Sequence, residues 1–181
     1  MHVRSLWLLL PVALLLWASQ DDEGWQTASR ESAGIAPDPA AFRGAVVQVY
    51  GASAYGWRGW FGIHTWIAVK PTAADTYRIY DVVGWRVQHG RPALRIYADI
   101  PDRYWFGSRP ALLLDRRGEG VDGLIDAIDE AARRYPWADE YRLFPGPNSN
   151  TFPAWIALQV PEFGLELPLR AIGSRYANNP P

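Results

Sequence analysis

The chain has 181 residues, 18 basic and 19 acidic side chains, a formal net charge of −1 and no cysteine. Near-neutral charge without a basic, aromatic-interleaved stripe argues against nucleic acid as a partner, and the missing cysteine excludes a disulfide framework, a thiol nucleophile, a thiolate metal site and the lipid-attachment residue of a lipoprotein. With 49% hydrophobic residues, the length suits one domain with a sizeable core.

The apolar run from Leu6 to Ala18 follows His2 and Arg4 and precedes Asp21, Asp22 and Glu23. That is the charge order of a secretory signal or an anchor whose following domain faces outward. The run is shorter than the roughly 20 residues a spanning helix prefers. Cutting after Ala18 or Ser19 would put Leu16 or Trp17 at position −3, where a small residue is wanted, so an uncleaved anchor is favoured over a removed signal. Residues 1–20 are therefore expected to be a signal or anchor in the cell envelope, facing the periplasm or secreted to it. Residues 21–41, polar and marked by Pro37 and Pro39, are expected to be a tether, and residues 42–181 the domain.

Within the domain, Val46–Tyr50, Phe61–Lys70, Tyr77–Val83 and Leu94–Ile100 are rich in β-branched and aromatic residues and are separated by Gly, Pro or Asp clusters. This pattern predicts strands of an antiparallel sheet. The period then changes. Val121, Leu124, Ile125, Ile128, Ala132 and Tyr135 recur at helical spacing and predict a helix from about Glu119 to Tyr135. A short strand is expected over Tyr141–Phe144, and a second helix over Thr151–Val160 with Pro153 in its first turn, where a missing N–H costs little. Strands in a run followed by two late helices predict an α+β domain with the helices packed on one side of the sheet. The tail from Pro161 to Gly173 is apolar but broken by proline and glycine. It would either wall a cleft or cover a sheet edge.

The candidate chemistry lies in Pro145-Gly146-Pro147-Asn148-Ser149-Asn150-Thr151-Phe152, a bent loop that sets Ser149 between two asparagines at a helix start. Free N–H groups and the dipole's positive end favour developing negative charge there, which suits a nucleophile or an oxyanion in acyl transfer. Asn-Ser-Asn is equally good helix-capping chemistry. Of His2, His64 and His89, only His64 falls on a predicted strand, so it is the candidate base, or else a hydrogen-bonded core histidine. No two histidines have ligand spacing, and neither a metal nor a cofactor is expected. Ten tryptophans and nine tyrosines exceed ordinary usage, with clusters at Tyr55–Trp60 and Arg103–Gly107. Most should be core. Others would wall a site for an acyl chain or sugar, or lie at the headgroup level of a membrane.

Together with Val47–Tyr50, His64–Lys70, Val83–Arg86 and Pro101–Gly107, the serine loop resembles an uncharacterised bacterial family, domain of unknown function 3750, over roughly Ala36 to Gly173. More distantly, a strand histidine followed by a nucleophile at a helix start resembles circularly permuted papain-like domains. These include the NlpC-type peptidases, the lecithin:retinol acyltransferase group and the bacterial lipoprotein intramolecular transacylases. The resemblance implies a papain-like fold and acyl transfer or hydrolysis on an ester or amide of an envelope lipid, lipoprotein or peptidoglycan peptide. Those relatives carry cysteine at the nucleophile position, where this chain has Ser149. In such a site His64 would take the Ser149 proton, and the Ser149 and Asn150 N–H groups, with the Asn148 side chain, would hold the oxyanion. Asp81, or next Tyr80, would orient the imidazole, unless Asp81 pairs with Arg78 or Arg86. The rival expectation is an inactive binding or structural module of the envelope.

Overall fold

A computed structural model describes residue 24 and residues 26–181. The apolar run Leu6–Ala18 lies outside the described residues. Among the described residues, no helix is long and apolar enough to cross a membrane.

Five runs form strands: β1 (Val46–Ser53), β2 (Ile63–Lys70), β3 (Arg78–Val82), β4 (Leu94–Ala98) and β5 (Ala111–Arg117). They make one antiparallel sheet in the order β4-β3-β2-β1-β5, and with its helices the domain is α+β. Alternation along the strands sends Val47, Val49, Ile67, Val69, Tyr80 and Val82 to one face. The two longer helices cover that face: α2 (Val121–Arg133) through Ile125 and Ile128, and α3 (Thr151–Gln159) through Phe152 and Ile156. Each such side chain contributes about 1.5–3 kcal/mol by leaving water. The opposite face presents Tyr50, Trp66, Ala68 and Ile79, which pack on Trp105 and on Ile35 and Phe42. A short helix, α1 (Gly84–Gln88), follows β3 directly.

One local expectation is corrected, and two features were not anticipated. Tyr141–Phe144 is not a strand: the Arg142 N–H donates to Pro147 O at 2.7 Å and Leu143 O accepts from Asn148 Nδ2 at 2.9 Å, so its backbone serves the serine loop and not a ladder. β5 was not anticipated, because Ala-Leu-Leu-Leu-Asp-Arg-Arg has no alternation and becomes a strand through its pairing with β1. The expected tether bonds to the domain from Ser29 onward: the Gly107 N–H donates to Ser29 O at 3.0 Å and the Tyr104 N–H to Glu31 O at 2.8 Å. Ser32 Oγ donates to Asp102 Oδ1 at 2.8 Å, the Ile35 and Ala36 N–H groups donate to Asp102 Oδ2, and Tyr77 Oη donates to Pro37 O at 2.9 Å.

One irregularity positions the site. β2 and β3 pair only at Ile67–Tyr80, Ala68–Ile79 and Val69–Arg78. Beyond that point β2 continues to Ile63 alongside β1, while β3 continues to Val82 alongside β4. The two central strands therefore part, and a cleft opens where they do.

Candidate active site

On β2, His64 shares a face with Trp66 and Ala68, as the period of two requires. On β3, Asp81 lies on the same face, directly across the ladder from Arg95 of β4. This places a histidine, a carboxylate and a guanidinium side by side in neighbouring strands. Asp81 Oδ1 lies 2.9 Å from His64 Nε2, while Asp81 Oδ2 accepts from Arg95 Nη2 at 2.7 Å and Nε at 3.2 Å. Arg103 Nη2 stands 3.6 Å from the same Oδ2 and is itself held by Tyr97 Oη at 2.7 Å, with Arg103 Nη1 on Asp99 at 2.7 Å.

Asp81 is 1% exposed. Burial alone would raise its carboxyl pKa, but the His64 imidazole and the Arg95 guanidinium outweigh burial and hold it well below the usual carboxylate range. An ionised carboxylate only accepts hydrogen bonds. Nε2 of His64 must then carry the proton it shares with Asp81, so in the neutral ring Nδ1 holds the lone pair. Nδ1 makes no hydrogen bond among the described residues. The ring plane is set by Trp105, stacked on it at 3.6 Å between centroids and 7° between planes. Trp105 is fixed in turn by a tight turn in which it exchanges backbone hydrogen bonds with Ser108 at 2.9 and 3.0 Å.

The serine loop is docked on the residues flanking His64. Thr65 Oγ1 lies 3.1 Å from Ser149 O and 3.0 Å from Asn150 Oδ1, and Asn150 Nδ2 donates to Ile63 O at 2.9 Å. Asn150 Nδ2 also donates to Ile172 O at 2.8 Å, and Asn148 Nδ2 donates to Leu143 O and to Ile172 O at 3.1 Å. The Asn150 N–H donates to Asn148 Oδ1 at 2.9 Å, and Thr151 Oγ1 accepts from the Asn148 N–H and donates to Gly173 O, each at 2.9 Å. Gly173 is obligatory here. Its φ is +93°, and a Cβ there would meet Asn148 Nδ2 at 2.1 Å.

The Asn148 amide and the Asn150 N–H, expected as oxyanion donors, already donate elsewhere, the amide to Leu143 O and Ile172 O and the N–H to Asn148 Oδ1. The Ser149 N–H and the Ser149 hydroxyl make no hydrogen bond among the described residues. Tyr80 also departs from expectation. It points to the helix-covered face, where its hydroxyl bonds Asp129, so it does not touch His64. Arg78 is taken by Asp129 and Arg86 by Pro92 O, so neither pairs with Asp81.

Ser149 and His64 line one cleft of about 1320 Å³. No hydrogen bond joins them. The cleft's apolar walls include Trp57, Phe61, Trp85, Phe106 and Phe144, and its charged lining comes from arginines, among them Arg58, Arg95 and Arg103. Among the described residues, no three His, Asp or Glu side chains gather as a metal site.

A family model described as protein of unknown function (DUF3750) matches residues 44–176. The chain belongs to this family. No curated protein and no solved structure matches it. The DUF3750 match takes in His64, Asp81, Arg95, Trp105 and Ser149 alike. Sequence reasoning missed Arg95, Arg103 and Thr65. The period of two puts Arg95 and Tyr97 on one face of β4, but that this is the Asp81 face follows from a β3–β4 register that the helix and loop between the strands leave open to the sequence. Thr65 adjoins His64 on β2, but its partners lie more than 80 residues away.

Proposed function

We propose that this DUF3750 protein is an envelope acyltransferase or hydrolase that acts on an ester or amide, tethered to the membrane by its N-terminal segment and facing outward. One observation carries the reading: His64 is anchored through Nε2 to a buried, ionised carboxylate, leaving a basic Nδ1 and an uncommitted Ser149 hydroxyl on the same cleft. Ser149 Oγ attacks the acyl carbonyl carbon as His64 Nδ1 takes its proton. The Ser149 N–H faces the oxyanion, and the alkoxide or amine that departs takes the proton back. Water or a second hydroxyl or amine then releases the acyl group by the reverse sequence. The apolar cleft walls suit an acyl chain, which favours a lipid or lipoprotein over a peptidoglycan peptide. The permuted papain-like arrangement is part of this proposal, with Ser149 in the place of a thiol.

A second reading has its own observation. No hydrogen bond links Ser149 to His64, as expected if the pair serves only a binding cleft, although catalytic hydrogen bonds often tighten only once substrate is bound. Membranes incubated with wild-type and Ser149→Ala protein, followed by mass spectrometry of lipids and muropeptides, separate the two. A product that depends on Ser149, together with a covalent acyl adduct at position 149 in Ser149→Cys protein, is expected of the enzyme. Identical spectra from wild-type and folded Ser149→Ala protein would leave the binding module.

A further inference from the structure

Three segments, residues 53–63, 141–150 and 167–176, meet at the mouth of the cleft. Arg170 Nη2 donates to Gly59 O at 2.6 Å, the Ile63 N–H donates to Arg170 O at 3.1 Å, and both Asn148 and Asn150 donate to Ile172 O. Their outward side chains are large and apolar. Trp57 is 54% exposed, Phe61 62%, Phe144 77% and Leu169 95%. Scattered exposed apolar residues are ordinary, but a cluster of this size around one opening is a contact surface.

Charge decides which kind. The three segments carry Arg58, Arg142, Arg170 and Arg175; Arg142 pairs with Glu140 at 3.8 Å just outside them, the other three have no acidic partner among the described residues, and no acidic side chain lines the cleft. Tryptophan and phenylalanine beside three arginines without an acidic partner match the headgroup layer of a bilayer. There the rings sit between hydrocarbon and water and the guanidiniums meet phosphate. A protein partner would normally be met by a rim carrying both signs of charge.

We propose that the cleft mouth is a second membrane contact, distinct from the N-terminal segment, that docks on a bilayer rich in acidic phospholipid. Trp57, Phe61, Phe144 and Leu169 enter the interfacial layer, and Arg58 supplies attraction to the anionic headgroups. Docking does not depend on Ser149 chemistry, so Ser149→Ala protein docks like wild type.

The chain has no cysteine, so single cysteines carry a fluorescent label without background. Full-length Phe61→Cys, Phe144→Cys and Asp126→Cys proteins, the last on the exposed side of α2, are labelled with a polarity-sensitive dye and reconstituted in phosphatidylcholine vesicles. The vesicles are prepared with and without phosphatidylglycerol, and all contain a nitroxide-bearing lipid. The dye at positions 61 and 144 should shift to the blue and be quenched by the nitroxide when phosphatidylglycerol is present, while position 126 reports water throughout. High salt should reverse the effect, and Arg58→Glu should weaken it roughly tenfold. A dye at 61 and 144 that stays in water in both vesicle types overturns the proposal. So does a blue shift without nitroxide quenching, which would assign the face to a protein contact.

Discussion

Thr65 Oγ1 lies 3.1 Å from the carbonyl oxygen of Ser149, so the residue next to His64 on β2 holds the backbone of the serine that shares its cleft. Its one proton is divided between Ser149 O and Asn150 Oδ1. Thr65→Val keeps the shape and removes that proton, leaving two buried acceptors short of a donor. It should cost about 1–3 kcal/mol of stability. If Ser149 is the nucleophile, acylation by an activated ester such as a p-nitrophenyl ester should slow by about tenfold or more through kcat with KM little changed, since a displaced attacking atom loses rate and not ground-state binding. Thr65→Ser should restore both. Loss in the Ser variant with none in the Val variant would mean that the threonine methyl, not its hydroxyl, holds the loop.

The depressed pKa of Asp81 sets an acid limit. Its ordinary value is 3.8, and in the folded chain His64 and Arg95 outweigh burial and hold it lower. As pH falls, the unfolded chain takes up this proton before the folded one does. The stabilisation from Asp81 is therefore complete above about pH 5 and declines as pH drops through about 4 toward the native value. Asp81→Asn leaves Arg95 without its carboxylate and should cost about 3 kcal/mol at neutral pH. Urea unfolding of both proteins from pH 7 to pH 3 should show a constant gap down to about pH 5 that closes below it. A gap that stays constant to pH 3 would show that Asp81 titrates alike in both states.

Two glycines with nearly the same backbone separate conformational strain from crowding. Gly118 has φ +90° with nothing within 4 Å of where a Cβ would stand, and Gly173 has φ +93° with Asn148 at 2.1 Å. Gly118→Ala should cost about 1–2 kcal/mol, the left-handed penalty alone. Gly173→Ala should cost at least about 3 kcal/mol, because the Asn148 amide must move off Leu143 O and Ile172 O. Thermal unfolding of the two variants measures the difference, and equal shifts in Tm would show that the Asn148 loop yields without loss.

Tyr135 is 4% exposed, packed edge-on against Phe152 at 5.1 Å and Trp137 at 5.6 Å, and its hydroxyl has no hydrogen-bond partner among the described residues. Burial raises its phenol pKa above the ordinary range. Tyr135→Phe removes an unsatisfied polar atom and keeps the ring contacts, so it should stabilise the domain by about 1 kcal/mol in denaturant unfolding. Destabilisation instead would mean that the hydroxyl is satisfied in solution.

Much of the architecture was legible along the chain because it rests on local periodicity. The β-branched and aromatic run Phe61–Lys70 announced β2, and the spacing of Val121, Ile125 and Ile128 announced α2 within two residues at each end. The helix after the serine loop began at Thr151 as its Pro153 suggested. Local pattern also misled where it was weak. Tyr141–Phe144 carries strand residues without a strand to pair with, and Ala111–Arg117 carries leucines that pairing with β1 turned into β5.

Composition and period by themselves determined an α+β domain with one sheet, a helix-covered face and a serine at a helix start, because each follows from how neighbouring residues divide between water and core. Only the tertiary structure decided that β2 and β3 part beyond Ile67 and Tyr80, that Asp81 meets His64 and Arg95 and not Arg78 or Arg86, and that Asn148 and Asn150 donate to Ile172 O. These are contacts between segments distant in the chain. Which donor reaches which acceptor there depends on strand register and loop closure, and both are settled by the packing of the whole domain.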